Sequence, residues 1–424
     1  MRRSRPEILK PCAVAAVVLL TGCAAAGSIQ SSSPGRPHRQ SAPAGATARG
    51  GSTASGGAVA SSGAHVLSGP RATLASTPVR PAVALPAMTD RQLAGQRVIY
   101  SYSGLTPPAR LLRRIRHGQV AGVIFFSQNI SSRAQIRQVA AELQQADQSS
   151  LNPVQEPLLL MTDQEGGLVR RLPGSPAKSE KQIGESADPA SAARNAGRGA
   201  GRNLHGVGLN VNLAPVLDVY RQAGNFIDQF GRSYSMDPNV VSALGADFIK
   251  AQQGKGVAAT SKHFPGLGAA TISQNTDERP VTLNLSKSQI QTIDEFPYQA
   301  AIAAGVKLVM VSWASYPALG SHRPAGLSSK VVQGELRQRL GFTGVTITDA
   351  LEAGGLVHYG SVANRSILAA TAGMDLLLCS EQHSIQGVQA LDALLAGYRD
   401  GTLNQSDFQA SVARVIALRT SLAG

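Results

Sequence analysis

Eight short apolar runs recur along the chain from about Met88 onward, separated by segments of mixed polarity. The runs cover residues 98–102, 121–126, 157–162, 209–214, 257–261, 308–313, 345–348 and 375–379. Apolar residues at nearly every position, many of them β-branched, are typical of strands that are buried on both faces. The pattern therefore predicts an α/β fold built on a parallel sheet.

The segments between the runs have the apolar spacing of amphipathic helices. Residues 133–145, 240–253 and 286–304 are clear cases, and Asp237 and Ser286 stand where helix N-caps are expected. Eight strand-then-helix units predict a single (β/α)8 barrel of the TIM type over residues 88–424. An open doubly wound sheet is the alternative, although no Gly-x-Gly-x-x-Gly follows the first run.

The first 22 residues have the organisation of an export signal. Four basic residues lie within the first ten, and the apolar run that follows over 12–20 is too short to span a bilayer permanently. The segment Leu-Thr-Gly-Cys at 20–23 is similar to the cleavage box of bacterial lipoproteins. We expect a signal peptide over 1–22, a lipid on Cys23 and an extracytoplasmic protein anchored to the membrane. An ordinary secretory signal is the alternative.

Residues 23–87 are rich in Ser, Gly, Ala and Pro and contain almost no large apolar side chains. Such a segment buries too little surface to offset the entropy cost of ordering, so it is predicted to be a disordered tether. Of the three cysteines, Cys12 would be removed with the signal and Cys23 would be lipidated. Cys379 would then have no partner for a disulfide, and its apolar surroundings predict a buried thiol.

The net charge is +14, and removal of residues 1–22 would take away four basic residues and Glu7 and leave +11. The basic residues are spread along the chain, and only 4% of residues are aromatic. We expect no nucleic-acid partner. A basic exported surface favours anionic wall polymers or lipid head groups, or serves solubility alone.

Polar residues follow several of the apolar runs. Asp163 ends the third, Asp218 lies just past the fourth, Lys262 and His263 end the fifth, and Asp349 ends the seventh. In a barrel of parallel strands the carboxyl ends of the strands carry the chemistry, so these groups are predicted to meet in one cleft. Asp349 is the candidate reactive carboxylate, and a helix N-cap is the alternative reading of this residue.

Three further patterns suggest ligand contacts, and each has a structural alternative. The segment 163–167 places two carboxylates before a glycine pair that allows close backbone approach, although it could be only a tight turn. Lys262 and His263 offer two adjacent donors, but a histidine is often only a packing residue. Arg232 could bind a ligand oxygen as a fork-shaped donor or form a surface ion pair.

No metal or cofactor signature accompanies these residues. The candidate histidines are scattered at His205, His263, His358 and His383, and there is no His-Glu-x-x-His. Phosphate loops and the Gly-x-Ser-x-Gly nucleophile turn are also missing from the sequence. We therefore expect neither a metal ion nor a cofactor.

Four segments together resemble the single-barrel β-N-acetylhexosaminidases of glycoside hydrolase family 3. They are Asp-Gln-Glu-Gly-Gly at 163–167, Asn-Leu-Ala-Pro-Val-Leu-Asp-Val at 212–219, Lys-His-Phe-Pro-Gly at 262–266 and Gly-Val-Thr-Ile-Thr-Asp at 344–349. The resemblance covers about residues 88–420 and implies that Asp349 is the nucleophile of a retaining mechanism with a covalent glycosyl-enzyme. It also implies that the sugar is held in the first subsite by Asp163, Arg171, Arg232, Lys262 and His263.

The chain departs from this family pattern at the general acid/base. The single-barrel enzymes usually have His where this chain has Leu267, and a loop ending in Asp-Ser-His where ungapped comparison gives Ser-Gln-Asn at 273–275. None of these side chains can donate and retrieve a proton at neutral pH. Asp277 and Glu278 follow closely, and either could be the acid if burial raised its pKa. Solvated loop charges are the alternative.

Three interpretations follow from the sequence. The first is a retaining exo-β-N-acetylglucosaminidase that releases terminal N-acetylglucosamine from peptidoglycan-derived fragments. The second is a family 3 hydrolase of different sugar specificity, and the third is a tethered sugar-binding protein without turnover. Asp349 favours an enzyme, whereas the missing histidine favours the third. The expected partners are a carbohydrate and, through the lipid, the membrane, and the protein is expected to be a monomer.

Overall fold

The computed structural model of the protein describes residues 85–423. The predicted signal peptide over 1–22, the lipidated Cys23 and the tether up to residue 84 lie outside the described residues and stay predictions. Met88 already packs against the hydrophobic core. Within 85–423, no helix is both long and apolar enough to cross a bilayer.

The predicted (β/α)8 barrel is confirmed, because eight parallel strands form a closed ring. The strands are β1 (Val98–Tyr100), β2 (Gly122–Phe125), β3 (Leu159–Thr162), β4 (Val211–Asn212), β5 (Ala258–Phe264), β6 (Leu308–Val311), β7 (Val345–Ala350) and β8 (Leu376–Leu378). Each strand pairs with its neighbours in sequence, and β1 pairs with β8 through Val98 and Leu377 to close the ring. The carboxyl ends of all strands therefore meet at one face of the barrel.

Helices surround the barrel and follow the strands. The α-helices are Asp90–Gly95, Ala109–Arg116, Arg133–Asp147, Glu180–Gly184, Pro189–His205, Pro238–Gln253, Lys287–Gln289, Phe296–Ala303, Val362–Ala372, Ser384–Arg399 and Gln405–Thr420. Two segments, Ile290–Asp294 and Lys330–Arg339, are π-helical. The Asp237 carboxylate accepts a 2.8 Å hydrogen bond from the Asn239 N–H, as a helix N-cap does.

Two layers of apolar side chains explain why the strands are apolar at consecutive positions. Side chains of all eight strands, such as Ile99, Met161 and Ile347, form one buried cluster inside the ring. The alternate side chains, such as Tyr100 and Leu160, pack outward against the helices. Both faces of each strand are therefore buried. Cys379 is a buried free thiol, as its surroundings predicted.

Two predicted boundaries are wrong in ways that matter for the site. Strand β5 continues through Lys262 and His263, and β7 continues through Asp349. These residues therefore belong to the last positions of their strands and do not follow them. The predicted helix over 286–304 is divided into three pieces. Pro297 is the second residue of the last piece, Phe296–Ala303, and has no N–H to donate to the preceding turn.

Candidate active site

A buried lysine joins two carboxylates at the carboxyl end of the barrel. Lys262 Nζ lies 2.7 Å from an oxygen of Asp163 and 2.7 Å from an oxygen of Glu165. Only 2% of the lysine side chain is exposed. An ammonium group has three donors, so two are used by protein carboxylates and one is left for a ligand.

Arg232 forms a two-bond fork with Glu165. Its Nε and Nη2 atoms each donate a 2.9 Å hydrogen bond to a different oxygen of that carboxylate. The fork is the geometry in which a guanidinium binds a carboxylate most strongly. The Nε and Nη2 donors of Arg232 are therefore used by a protein carboxylate. Nη2 also lies 3.4 Å from Nε2 of His263.

The ion pairs decide the protonation states of these side chains. Burial alone would raise the pKa of Glu165, but Arg232 and Lys262 outweigh it and lower the pKa to about 2. Burial likewise opposes ionisation of Asp163, and Lys262 and Arg171 still hold the pKa of that carboxyl below its usual value. Burial would lower the pKa of Lys262, and the two carboxylates raise it instead. All three groups are therefore charged at neutral pH.

His263 is oriented by the buried carboxylate of Asp218. Nδ1 of the ring lies 2.7 Å from one carboxylate oxygen, while the other oxygen accepts hydrogen bonds from the main-chain N–H groups of His263 and Leu267. A carboxylate can only accept, so Nδ1 carries the proton and Nε2 is the atom left to face a ligand. Asp218 also fixes the start of the loop that follows β5.

Asp349 is half-buried at the end of β7, so its carboxylate is neither enclosed in the core nor fully solvated. Its Oδ1 accepts a 2.8 Å hydrogen bond from the N–H of Ala350. The indole Nε1 of the fully buried Trp313 donates a 2.8 Å hydrogen bond to the Ala350 carbonyl and so ties the end of β7 to the segment after β6. The position of Asp349 is thus fixed by the barrel framework.

The loop 271–280 brings Asp277 to the segment that follows Asp349. The main-chain carbonyl of Asp277 accepts a 2.7 Å hydrogen bond from the N–H of Gly354. Surrounding protein first and the negative charge of Asp349 second raise the pKa of the Asp277 carboxyl to about 6. The side chain nevertheless has substantial solvent exposure.

The other loop carboxylate, Glu278, is not brought into this group. Its side chain is 60% exposed, lies 3.2 Å from Nη2 of Arg279 and accepts a hydrogen bond from the amide of Asn275. Of the two acid candidates from the sequence, only Asp277 lies in the electrostatic neighbourhood of Asp349.

The remaining sequence candidate, Arg171, follows the short antiparallel hairpin of Gln164–Gly166 and Val169–Arg170. Its N–H donates to the Asp163 carbonyl at 3.2 Å, and its buried Nε has no partner within the described residues. The structure therefore brings Asp163, Arg171, Arg232, Lys262 and His263 together around one site.

Two acids near the site, the buried Glu180 and the half-buried Glu352, carry no signal in the sequence. Glu180 begins a short helix, accepts a 2.9 Å hydrogen bond from the N–H of Val216, and has a pKa raised well above its usual value by burial and by nearby Glu165. Glu352 accepts hydrogen bonds from Ser380 and Gln386, and burial raises its pKa. Neither residue stands in a recognisable motif, so only the fold could reveal their proximity to the site.

Among residues 85–423, no group of three or more His, Cys, Asp or Glu side chains has an arrangement that could hold a metal ion. The lysine and arginine that occupy the centre of the carboxylate cluster explain this, because they supply the positive charge that such a cluster needs.

Comparisons with known proteins agree with this geometry. Residues 94–418 match the family described as the glycosyl hydrolase family 3 N-terminal domain. The chain is 46% identical over 343 residues to an uncharacterized secreted glycosyl hydrolase of Arthroderma benhamiae, covering 80% of this chain and 97% of that protein. It is 33% identical over 300 residues to a β-hexosaminidase of Stenotrophomonas maltophilia, covering 67% of this chain and 85% of the relative.

Solved structures of known glycosidases are similar to the barrel domain. A β-N-acetylglucosaminidase from Paenibacillus sp. is 34% identical with a TM-score of 0.74, covering 80% of this chain and 63% of that one. A β-N-acetylhexosaminidase from Beutenbergia cavernae is 30% identical with a TM-score of 0.71, covering 79% of this chain and 99% of that one. This chain thus spans less than two thirds of the Paenibacillus protein. It belongs to glycoside hydrolase family 3 and is a hydrolase similar to the β-N-acetylhexosaminidases.

Proposed function

We propose that the protein is an exported, retaining exo-β-N-acetylglucosaminidase that removes terminal N-acetylglucosamine from peptidoglycan-derived fragments. Asp349 is the nucleophile and Asp277 is the general acid/base. The observation that carries the proposal is the docking of the Asp277 loop on Gly354, close to Asp349, which supplies a second carboxyl group whose pKa is raised to about 6. Two such carboxyl groups are what glycoside hydrolysis requires.

In the first step an oxygen of Asp349 attacks the anomeric carbon while the glycosidic C–O bond breaks. The proton of Asp277 passes to the departing oxygen, so the leaving group is released neutral. In the second step Asp277, now a carboxylate, takes a proton from water. The water oxygen bonds to the anomeric carbon, and the ester bond to Asp349 breaks. Both carboxyl groups return to their starting states with net retention.

The sugar is held by one donor and two acceptors that the protein has already oriented. The sugar hydroxyl groups form hydrogen bonds with the third N–H of Lys262, with Nε2 of His263 and with the Asp163 oxygen that Lys262 does not contact. Arg232 acts mainly through its fork with Glu165, because Glu165 in turn holds Lys262 in place. Arg171 adds a further positive charge to the site. Hydrogen bonds that strengthen in the transition state then accelerate the reaction.

The name of the Arthroderma relative supports an exported protein, and the lipoprotein-like box supports a lipid on Cys23. The preference for a 2-acetamido sugar is supported by the names of the Stenotrophomonas, Paenibacillus and Beutenbergia proteins.

The test is turnover of aryl N-acetyl-β-glucosaminides whose leaving groups range from acidic to weakly acidic phenols. General-acid assistance is worth roughly 10²–10⁴-fold and matters most for poor leaving groups. We expect Asp277→Ala to slow the poor leaving groups selectively, whereas Glu278→Ala, the matched loop control, should not. Absence of turnover of every aryl glycoside would support a sugar-binding protein without catalysis. Preference for a sugar without the acetamido group would support another family 3 specificity.

A further inference from the structure

Within residues 85–423, hydrogen bonds join the loop 271–280 to the segment after β7 at Gly354 and Gly355 and to no other distant segment. Gly354 N–H donates to the Asp277 carbonyl at 2.7 Å, and Gly355 N–H donates to the Thr276 carbonyl at 2.8 Å. The other hydrogen bonds of this loop in the described structure stay within the loop or reach only Thr282. Thr276 is 2% exposed, so the loop is buried at this point of contact.

Both partners of this contact are glycines, and the reason is space. A Cβ atom on Gly354 would lie 2.2 Å from the Glu278 carbonyl oxygen and 2.3 Å from its carbon. A Cβ atom on Gly355 would lie 2.8 Å from the Thr276 carbonyl oxygen. Neither glycine has a positive φ, so the conformation itself would accept another residue. The clash is with backbone, which cannot rotate away as a side chain can.

The two glycines are also rigidly connected to the nucleophile. Between Asp349 and Gly354 the chain is held by the hydrogen bond of Leu351 N–H to the Leu378 carbonyl at 3.0 Å and by that of Trp313 to the Ala350 carbonyl. Any displacement of the loop from the glycines therefore changes the distance between the carboxyls of Asp277 and Asp349.

We propose that Gly354 and Gly355 are positioning residues that hold Asp277 at its working distance from Asp349 by admitting the loop backbone to direct contact. The inference rests on the proposed function, because it assumes that Asp277 is the acid/base. The glycine pair would act on catalysis through Asp277 and would not contact the substrate.

The experiment compares Gly354→Ala with Gly334→Ala and Asp277→Ala in the full chain. Gly334 lies in the helix Lys330–Arg339, and a Cβ atom added there would meet no other segment of residues 85–423 within 4 Å, so its substitution is a matched control. We expect Gly354→Ala to lower kcat/KM for a poor leaving group by roughly 10²–10³-fold, within the range of general-acid assistance. The loss for an activated leaving group should be less than about tenfold, because that group departs without a proton.

Rescue of activity by azide distinguishes a displaced acid/base from a general structural defect. The azide anion attacks the anomeric carbon of the glycosyl-enzyme without needing a base, displaces Asp349 and gives a glycosyl azide. With an activated substrate, azide should therefore accelerate Gly354→Ala and Asp277→Ala but not Gly334→Ala. Amide hydrogen exchange at positions 354 and 355 should also become faster in Gly354→Ala, since the hydrogen bonds to the Asp277 and Thr276 carbonyls are lost.

The outcomes distinguish the inference from the proposed function. If Asp277→Ala shows the leaving-group effect and azide rescue while Gly354→Ala shows neither, the inference is overturned and the proposed function stands. A uniform loss for all leaving groups in Gly354→Ala, without rescue, would also overturn it. If Asp277→Ala itself leaves the leaving-group dependence unchanged, the acid assignment fails and the inference fails with it.

Discussion

Nδ1 of His263 lies 2.7 Å from Oδ2 of Asp218, and both side chains are buried. The same carboxylate receives the N–H of Leu267, so one acid orients the ring and fixes the loop that leads to Asp277. This double role explains why an acid lies just past β4, a position at which it touches no proposed sugar-binding atom directly.

Asp218→Asn should weaken catalysis while leaving the fold in place. The asparagine amide can donate to Nδ1, which would move the ring proton to Nε2 and turn the atom that faces the ligand from an acceptor into a donor. A hydrogen bond that involves a charged group is worth roughly 1.5–3 kcal/mol, so we expect kcat/KM to fall by about ten- to a hundredfold. Steady-state kinetics and a thermal melt of the same preparation test this. An unchanged kcat/KM would show that the ring orientation is irrelevant.

Asp349→Asn should abolish turnover without unfolding the protein. Removal of a nucleophile costs roughly 10⁵-fold or more in kcat. The carboxylate is half-buried and its one protein hydrogen bond is to the adjacent N–H, so little stability depends on its charge. Turnover and the melting temperature should be measured together, and substantial residual activity in this variant would exclude Asp349 as nucleophile.

The pH profile should lose activity on its alkaline side through Asp277. Its pKa is raised to about 6, and an acid catalyst must be protonated, so assistance is present below this pH and is lost as the pH rises through it. We expect kcat/KM for a poor leaving group to decrease above about pH 6. In Asp277→Asn, assayed with an activated leaving group, this limb should be missing. If the limb persists there, it belongs to another group, and Glu352, whose pKa burial also raises, is a candidate.

Asp375→Asn should reduce stability and spare catalysis. This fully buried carboxylate lies at the opposite end of the barrel. Its Oδ2 is 2.6 Å from Nη2 of Arg337, and its Oδ1 is 2.7 Å from Nη2 of Arg414. Burial opposes its ionisation, but the two arginines lower the pKa of the carboxyl. Breaking a buried ion pair from one side costs roughly 3–5 kcal/mol. Denaturant unfolding tests this, and Asp392→Asn, which removes a surface pair with Arg91, should cost less than about 1 kcal/mol.

The same carboxylate should make stability depend on pH in a defined direction. Its folded-state pKa is lowered, so its contribution is fully present above the unfolded value of roughly 3.9 and is lost as the pH falls towards the folded value. Asp375→Asn should therefore flatten the acid side of the stability profile. An equally steep acid decline in the variant would assign that decline to other carboxylates, such as Glu165.

The barrel could be predicted from the sequence because its signal is local. Each strand is buried on both faces, so apolar residues such as Ile99 and Tyr100 stand side by side, and the helices between them have their own period. The placement of Asp163, Lys262, His263 and Asp349 at one face follows directly, since parallel strands present their carboxyl ends together. The apolar pattern predicts strand ends that are too early, because Lys262 and Asp349 are polar residues inside strands.

Only the tertiary structure decided which polar residues act on one another. Glu165 stands two positions from Asp163 in the chain, but its fork with Arg232 joins segments 67 residues apart. Asp277 and Glu278 are neighbours with the same chemistry, and the tertiary structure distinguishes their side chains, because that of Asp277 interacts with the charge of Asp349 whereas that of Glu278 is 60% exposed. Contacts of this kind depend on how loops pack, which leaves no periodic trace in the sequence, whereas the barrel itself repeats one local pattern eight times.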